Sequence, residues 1–496
     1  MAHEYRAPTA NGAVLAEPAF DAIPGLVEAN RKRLDRADVI VGGLPLRELR
    51  ALARREVQGL AGSDGASAGP LLLAGHQPEL SHPGVWVKNF TLNGLAKKLG
   101  GIPLHLVVDN DTLKSTSLRF PVFTDRDPTS VRMESVAFDT FAGEVPYEDR
   151  AVIDAELSRT FADRAAPLWA NWGYEPLLAN SWASGGRKPP VETRDESRRD
   201  VTGGLRPPLA KNIGEAFTAM RRERERKWGC HNLELPVSRL SRTKAFQLFA
   251  ASLFDDRFRF REVYNAAIRA YRDANGIRSA HHPAPELAER EVPFWERTPD
   301  GRRRLREVTL DITPRNLRPR ALTLTLFARV CLGDFFIHGI GGGKYDEVTD
   351  AIIRDYFGIE PPAYQVLSAT LHLPLPAFPS TADDLTRADR RVRDLQWNPQ
   401  ALPGADAELV REHAALTANE PPRGEHAARR EWFRRLQQVK ERLRAGVITE
   451  VPAAEESLRR AQSEVDANAI LQRRDYPWVL YPEETLRPFL QRFLTV

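Results

Sequence analysis

The chain has 496 residues, with 71 lysines and arginines against 67 aspartates and glutamates, a formal net charge of +4. This balance gives no basic footprint that would require nucleic acid, and it favours small anionic ligands only weakly. Charged residues at 28% and apolar residues at 42% exclude a disordered chain, and the length exceeds one ordinary core.

Two cysteines, Cys230 and Cys331, lie far apart without metal-ligand spacing, which argues against a disulfide scaffold and a zinc ribbon; no metal is expected. Residues 1–14 lack the basic and apolar regions of a secretory signal. No apolar stretch reaches the ~20 residues that span a bilayer. A cytoplasmic protein without membrane contact is the expectation.

In chain order, residues 1–20 read as a loose arm. Leu44, Leu46, Leu49, Leu52, Ala53 and Val57 recur at helical spacing, with Pro45 acceptable near a helix start. Residues 61–70 are a Gly/Ser/Ala-rich linker. The apolar run from Leu71 to Ala74 predicts a buried strand, followed by a polar loop and a helix up to Leu99. A second strand over 103–108 ends in Asp109-Asn110-Asp111. Strand, loop, helix, strand, loop is a βαβ unit, and parallel sheets bind ligands at the carboxyl ends of their strands.

Residues 131–138 suggest a further strand, and helical periodicity follows over 150–180, 208–228, 243–255 and 259–275. The polar stretch 184–204 is a candidate lid. The sheet is expected to resume with a strand over 304–312, a helix over 321–330 and a buried strand at Phe335-Phe336-Ile337. A helix then stops at Gly358, and a long strand follows over 364–375. Beyond Pro379, Trp432, Leu436, Val439, Leu443 and Val447 recur at threes and fours, and Leu458, Ala461, Val465 and Gln472 keep that register. Two such helices, joined at 446–452, predict an antiparallel coiled-coil hairpin that drives homodimerisation. The aromatic tail is expected to pack back.

The expected fold class is therefore α/β, a Rossmann-like parallel sheet with a mostly helical insertion and a C-terminal helical coiled-coil hairpin. Its divisions are an N-terminal arm and linker (1–69), the first half of the core (70–149), a helical insertion (150–300), the second half of the core (301–378) and the coiled coil with its tail (379–496).

Candidate chemistry gathers in the loops. His76, Gln77, His82, Lys88 and Asn89 fall within fourteen residues of one another. Imidazole N–H groups beside a helix N-terminus favour phosphate or carboxylate, while loop packing and helix capping are the bland alternative. The strand–Gly–His-x-Gly-His turn of nucleotidyltransferases is similar, with Val85 where the second histidine would stand. Asp109 and Asp111, flanking Asn110, can act as base on an amine or hold a cation; an Asx-rich turn is the alternative. Gly339, Gly341, Gly342 and Gly343 with Lys344 make a Gly-rich turn that brings backbone N–H groups close to an anion. Trp295 offers an apolar wall, and Asn316 and Arg318 follow a strand beside Arg315 and Arg320, suiting a carboxylate or phosphate. Both turns follow strands of one parallel sheet, so His76 and Lys344 are expected to flank a single pocket.

These residues resemble the bacillithiol synthase family. Gly75-His76-Gln77-Pro78 looks like that family's Gly-Gln-Gln loop, and Asp109-Asn110-Asp111 like its Glu-Asp-His-Asp cluster. Residues 313–319, TPRNLRP, look like its Pro-Asn-x-x-Leu-Arg-Pro stretch, and residues 339–344, GIGGGK, like its Gly-Gly-Pro-Gly-Glu turn. The order agrees over roughly residues 70–375. His76 stands for a Gln, Asn110 for a His and Lys344 for a Glu. The resemblance implies a Rossmann-like core, a dimerising coiled coil and a nucleotide-sized pocket, with ATP or ADP as candidate cofactor.

Three functions follow as expectations. The first is a ligase-type enzyme coupling a cysteine-like amino acid to an amine- or carboxylate-bearing small molecule. In it His76 and His82 stabilise anionic charge, Asp109 or Asp111 acts as base, and Lys344 and Arg318 hold an anionic substrate end. The others are a nucleotidyltransferase and a non-catalytic ligand-binding or oligomeric protein.

Overall fold

A computed structural model describes residues 5–62, 68–182, 212–298, 301–304 and 316–496. The proposed lid at 184–204 lies outside them, as do residues 305–315 and with them most of the strand expected over 304–312 and residues 313–315. The chain divides into two compact units, one of Met1–Phe120, Ser135–Pro374 and Arg474–Val496, the other of Pro121–Glu134 and Leu375–Arg473.

The first unit is built on a six-stranded, mostly parallel sheet. Its strands are β1 (Val14–Glu17), β2 (Leu71–His76), β3 (Ile102–Val107), β4 (Leu233–Pro236), β5 (Phe335–His338) and β6 (Gln365–Ala369). Across the sheet the order is β1-β6-β5-β2-β3-β4, with every neighbour parallel except β1, which runs antiparallel on β6. Read from β4, the five parallel strands thus lie third, second, first, fourth, fifth in chain order. Two corrections follow. The loose arm expected over 1–20 does not hold across its described part, because Val14–Glu17 pairs residue for residue with β6. Residues 150–300 are not wholly an insertion, because β4 is the third parallel strand, paired to β3 from Leu104↔Leu233 to Val107↔Pro236.

Side-chain alternation divides the core. Leu71 and Leu73 of β2, with Leu104 and Leu106 of β3, face a cluster contributed by α1 (Leu46–Leu60), α4 (Lys244–Asp255), helix Arg257–Ala274 and Leu322–Leu332. Against the opposite face lies α2 (Pro83–Lys98), twelve of whose sixteen residues are buried. A helix covered on all sides needs no amphipathic stripe. Trp86 of α2 packs at 4.8 Å from Trp478 and 5.4 Å from Trp228, which ties the C-terminal tail and α3 (Ile213–Lys227) to that face.

The remaining expectations divide. Residues 150–180 form only short helices, Ala155–Arg159, Phe161–Ala165 and Leu178–Ser181. Strand Arg132–Ala137 pairs with Ser117–Val122 outside the main sheet. Phe294–Thr298, Gly301–Arg304 and Leu317–Pro319 form a separate three-stranded antiparallel sheet, so the main sheet resumes only at β5. The strand expected over 364–375 spans Gln365–Ala369. The helix after β5, α5 (Ile340–Ile352), closes through a π turn at a left-handed Gly358. Among the described residues no helix is long and apolar enough to cross a membrane.

The second unit contains α6 (Ala382–Trp397), α7 (Ala407–Ala418), α8 (His426–Val447) and α9 (Val451–Leu471). The hairpin differs from the expected one. α9 packs along α6, and α8 packs along α7, so the reversal falls at 419–425 rather than at 446–452. The backbone stays in or near right-handed helical space through Val447, Ile448, Glu450 and Val451, because Pro452 stands in the first turn of α9, where a missing N–H costs nothing. Residues 419–425, NEPPRGE, hold the breakers. Leu443 and Val439 therefore close on Leu409 of α7, within this chain.

Candidate functional site

The loops after β2 and β3 meet at the carboxyl edge of the sheet. Gln77 Nε2 donates to Asp111 Oδ2 at 2.8 Å. Asp111 Oδ1 accepts from the Thr112 backbone N–H and, at 2.9 Å, from Arg302. Burial pushes the Asp111 carboxyl up, but the Gln77 hydrogen bond and the Arg302 guanidinium outweigh it and hold it below its ordinary value. Arg302 and Arg320 each lie 4.7 Å from the Trp295 ring, so this indole is a cation-binding shelf between two guanidinium groups rather than a bare apolar wall.

His76 ends β2. Its Nδ1 lies 3.1 Å from the Gln77 carbonyl, and Nε2 lies 3.7 Å from Glu79. Burial, then the Lys88 ammonium, drives its pKa down to about 3, so at neutral pH the ring is uncharged and the Glu79 approach is not an ion pair. Lys88 is buried in α2, and its Nζ donates to the Gly75 carbonyl at 2.9 Å. Burial lowers its pKa to about 8, against the opposing pull of Glu79. His82 caps α2 without a side-chain cap bond. Among the described residues its buried Nδ1 has no hydrogen-bond partner, and burial, then Arg474, lowers its pKa to about 4.

β5 lies beside β2, with Ile337 opposite Ala74, so the Gly-rich turn emerges next to the His76 loop. Lys88 stands between them: a Cβ on Gly339 would sit 4.0 Å from its Nζ. Lys344 is half-buried one turn into α5, and its ammonium makes no hydrogen bond or ion pair among the described residues. Lys88, not Lys344, is thus the cation at the junction of the two turns. The glycines also divide by role. A Cβ on Gly343 would meet Val366 Cγ2 at 2.4 Å, and one on Gly342 would meet His338 Nδ1 at 2.8 Å, so these two permit close packing. At Gly341 a Cβ would meet nothing within 4 Å. Below the turn His338 Nε2 lies 2.5 Å from Asp346 Oδ2, and Arg329 lies 3.0 Å from the same oxygen.

At the end of β3, Asp109 accepts from the backbone N–H of Ser238 at 2.8 Å and from its hydroxyl. Burial raises its pKa to about 6; the Ser238 hydrogen bonds lower it and Glu148 raises it again. Asp109 opens onto a cavity of about 490 Å³ shared with Tyr147, Arg222, Arg239, Arg242 and Arg297. Ser238 follows β4, the strand that periodicity missed, so nothing in the sequence pointed to it. Arg302 was legible: Asp300-Gly301 is a hairpin signal, and the strand after it carries the arginine to Asp111.

Other expected site residues are occupied elsewhere. Asn89 donates to Glu225 at 2.7 Å, and its carbonyl accepts from Asn232, which places it in the packing of α2 against α3. Arg318 makes a two-pronged contact with Glu148, at 2.8 and 2.7 Å. Asn316 presents its carbonyl to the Arg297 N–H at 2.8 Å. Asn110 is buried and donates to the Pro319 carbonyl at 2.9 Å. These residues brace the site rather than line the Asp109 cavity. No family model matches the chain, nor does any curated protein sequence.

Proposed function

We propose that this protein is an enzyme of the bacillithiol-synthase-like class, joining an amine-bearing small molecule to a carboxylate-bearing partner in a ligase-type reaction on a Rossmann-like core. The strand order third, second, first, fourth, fifth supports that core, since doubly wound sheets of this order take ligands where the order reverses. Here the reversal lies between β2 and β5, where the His76 loop, Lys88 and the Gly-rich turn adjoin.

The observation that carries the reading is Asp109. Its carboxyl, raised to about 6, faces a cavity whose mixed lining includes four arginines and the acids Glu148 and Glu215. An amine nucleophile must shed a proton as its nitrogen bonds to carbon. A carboxylate with a pKa near 6 is ionised at neutral pH and accepts that proton better than an ordinary aspartate. Ser238 fixes the carboxylate's direction. Arg239 and Arg242 suit the carboxylate of the partner, or the phosphates of a nucleotide that activates it, while Arg222 and Arg297, paired to Glu234 and Asp149, shape the cavity wall. Activation is needed because a free carboxylate does not condense with an amine in water; ATP is the candidate, and as the C–N bond forms the acyl C–O bond to the phosphate it would supply breaks, with phosphate or nucleotide monophosphate leaving.

The test is a thermal-shift screen of the full chain with nucleotides, amino acids and sugar phosphates, followed by turnover assays on the ligands that raise Tm. Asp109→Asn is expected to keep binding and lose turnover by about two to four orders of magnitude, the usual range for a general base. Full turnover in that variant overturns the assignment, and a chain that binds none of these ligands favours the non-catalytic alternative.

A further inference from the structure

Arg239 and Arg242 line the Asp109 cavity, and they also line a second groove of about 510 Å³ with Arg55, Glu56, Gly59, Leu60 and Thr243. All three arginines are exposed, and among the described residues their guanidinium groups make no hydrogen bond or ion pair. The one acid in the groove is already engaged: the Glu56 oxygens accept from the backbone N–H groups of Lys244, at 2.8 Å, and Ala245, at 2.9 Å, at the start of α4. Its oxygens are therefore turned to a helix terminus and pair with none of the arginines, so the lining carries three cations against one anion, and the three guanidinium forks stay open. By contrast Arg222 and Arg297, in the cavity proper, are committed to Glu234 and Asp149.

Free, fork-shaped donors on two sides of a groove match a tetrahedral oxyanion, which accepts two parallel N–H bonds from each guanidinium. We propose that Arg55, Arg239 and Arg242 form a second anion subsite, contiguous with the Asp109 cavity, which binds a phosphate or diphosphate group at the far end of an extended ligand. The ligand class then narrows to molecules that carry a phosphate several bonds from the reacting centre. This deepens the functional reading above and rests on it only for the identity of the reacting centre; the subsite itself is a matter of binding.

The probe is inorganic pyrophosphate, titrated calorimetrically into the full chain at low and at physiological salt. The native protein is expected to bind it. Arg55→Ala should weaken binding at least fivefold and Arg239→Ala/Arg242→Ala more than tenfold. Arg460→Ala, at an exposed arginine of α9 in the other unit, should leave it unchanged. Arg55→Lys keeps the charge but loses the fork, and should fall between native and Arg55→Ala. Circular dichroism checks that each variant folds. No binding by the native chain, native affinity in the Arg55 and double variants, or equal weakening by Arg460→Ala would each overturn the subsite. An Asp109→Asn protein with unchanged turnover would sink the catalytic reading and leave this result intact, because pyrophosphate binding does not pass through Asp109.

Discussion

Gln77 and Asp111, thirty-four positions apart, share a 2.8 Å hydrogen bond that ties the loop after β2 to the loop after β3. The bond is charge-assisted and helps hold Asp111 ionised. Gln77→Ala should raise the Asp111 pKa, since only the Thr112 N–H and Arg302 would remain on the carboxylate. It should destabilise the fold by about 1–2 kcal/mol, the scale of one hydrogen bond to a charged partner at a half-buried site. Carboxyl-carbon NMR titration reads the first effect and urea melts the second. An unmoved Asp111 titration would mean that Arg302 and the Thr112 N–H set it without Gln77.

Asp109 should leave a signature in stability against pH. Its folded pKa of about 6 lies above its ordinary 3.8. Between those values the folded protein keeps a proton that the unfolded chain releases. This group's contribution to stability is therefore full below about pH 3.8 and is lost as pH rises to about 6, then flat above. Asp109→Asn removes that dependence. The variant should gain on the native protein at pH 7 relative to pH 4.5, measured as unfolding free energy in urea. A difference between the two proteins that is the same at both pH values contradicts the raised pKa.

The Gly-rich turn permits a sharp contrast. Gly343→Ala places a methyl group where Val366 already stands and should cost about 1–3 kcal/mol, the usual penalty for overpacking. Gly341→Ala meets nothing and should change stability by less than about 0.5 kcal/mol. If the open side of Gly341 is where an anion approaches α5, the same silent change should weaken ligand binding severalfold. Native affinity in Gly341→Ala would reduce the turn to a packing device.

Leu443 offers a test in the second unit. It is buried against Leu409 and Val439, so Leu443→Lys forces an ammonium into this chain's own seam. The expected outcome is loss of the α7–α8 packing, costing about 3 kcal/mol or more, on the scale of severe core lesions. It should appear as an early thermal transition while the β-sheet unit stays folded. A monodisperse protein with a single native-like transition would show that the seam tolerates exposure.

The parts legible in sequence were those with long or punctuated patterns. Leu71 to Ala74 and the run before Asp109 declared themselves as strands because continuous apolar runs between turn residues have few other uses. Leu233–Pro236 did not. Four residues, LELP, between two helices give no period to count, and with them went Ser238, which holds the base. Val14–Glu17 was missed for the same reason, since a short edge strand gains its conformation from its neighbour. The heptads of α8 were read correctly as a seam, but a seam does not name its partner, and α7 carries too little periodicity of its own to compete in sequence. At the Gly-rich turn Lys344 is the cation plain in sequence, whereas buried Lys88, whose Nζ meets the Gly75 carbonyl, sits in a helix that otherwise reads as core.

β1 has a consequence for handling the protein. By covering Val366–Ala369 of β6, this four-residue segment shields one margin of the sheet from other chains, and Gly12 and Asn11 fasten it further through Thr370 and His372. Trimming the chain to start after residue 20 would leave the amides and carbonyls of β6 open as a template for strand addition. Shortened versions should be sound at high dilution and self-associate on concentration, a colloidal defect rather than a loss of core stability, so the first twenty residues are the ones an expression design can least spare.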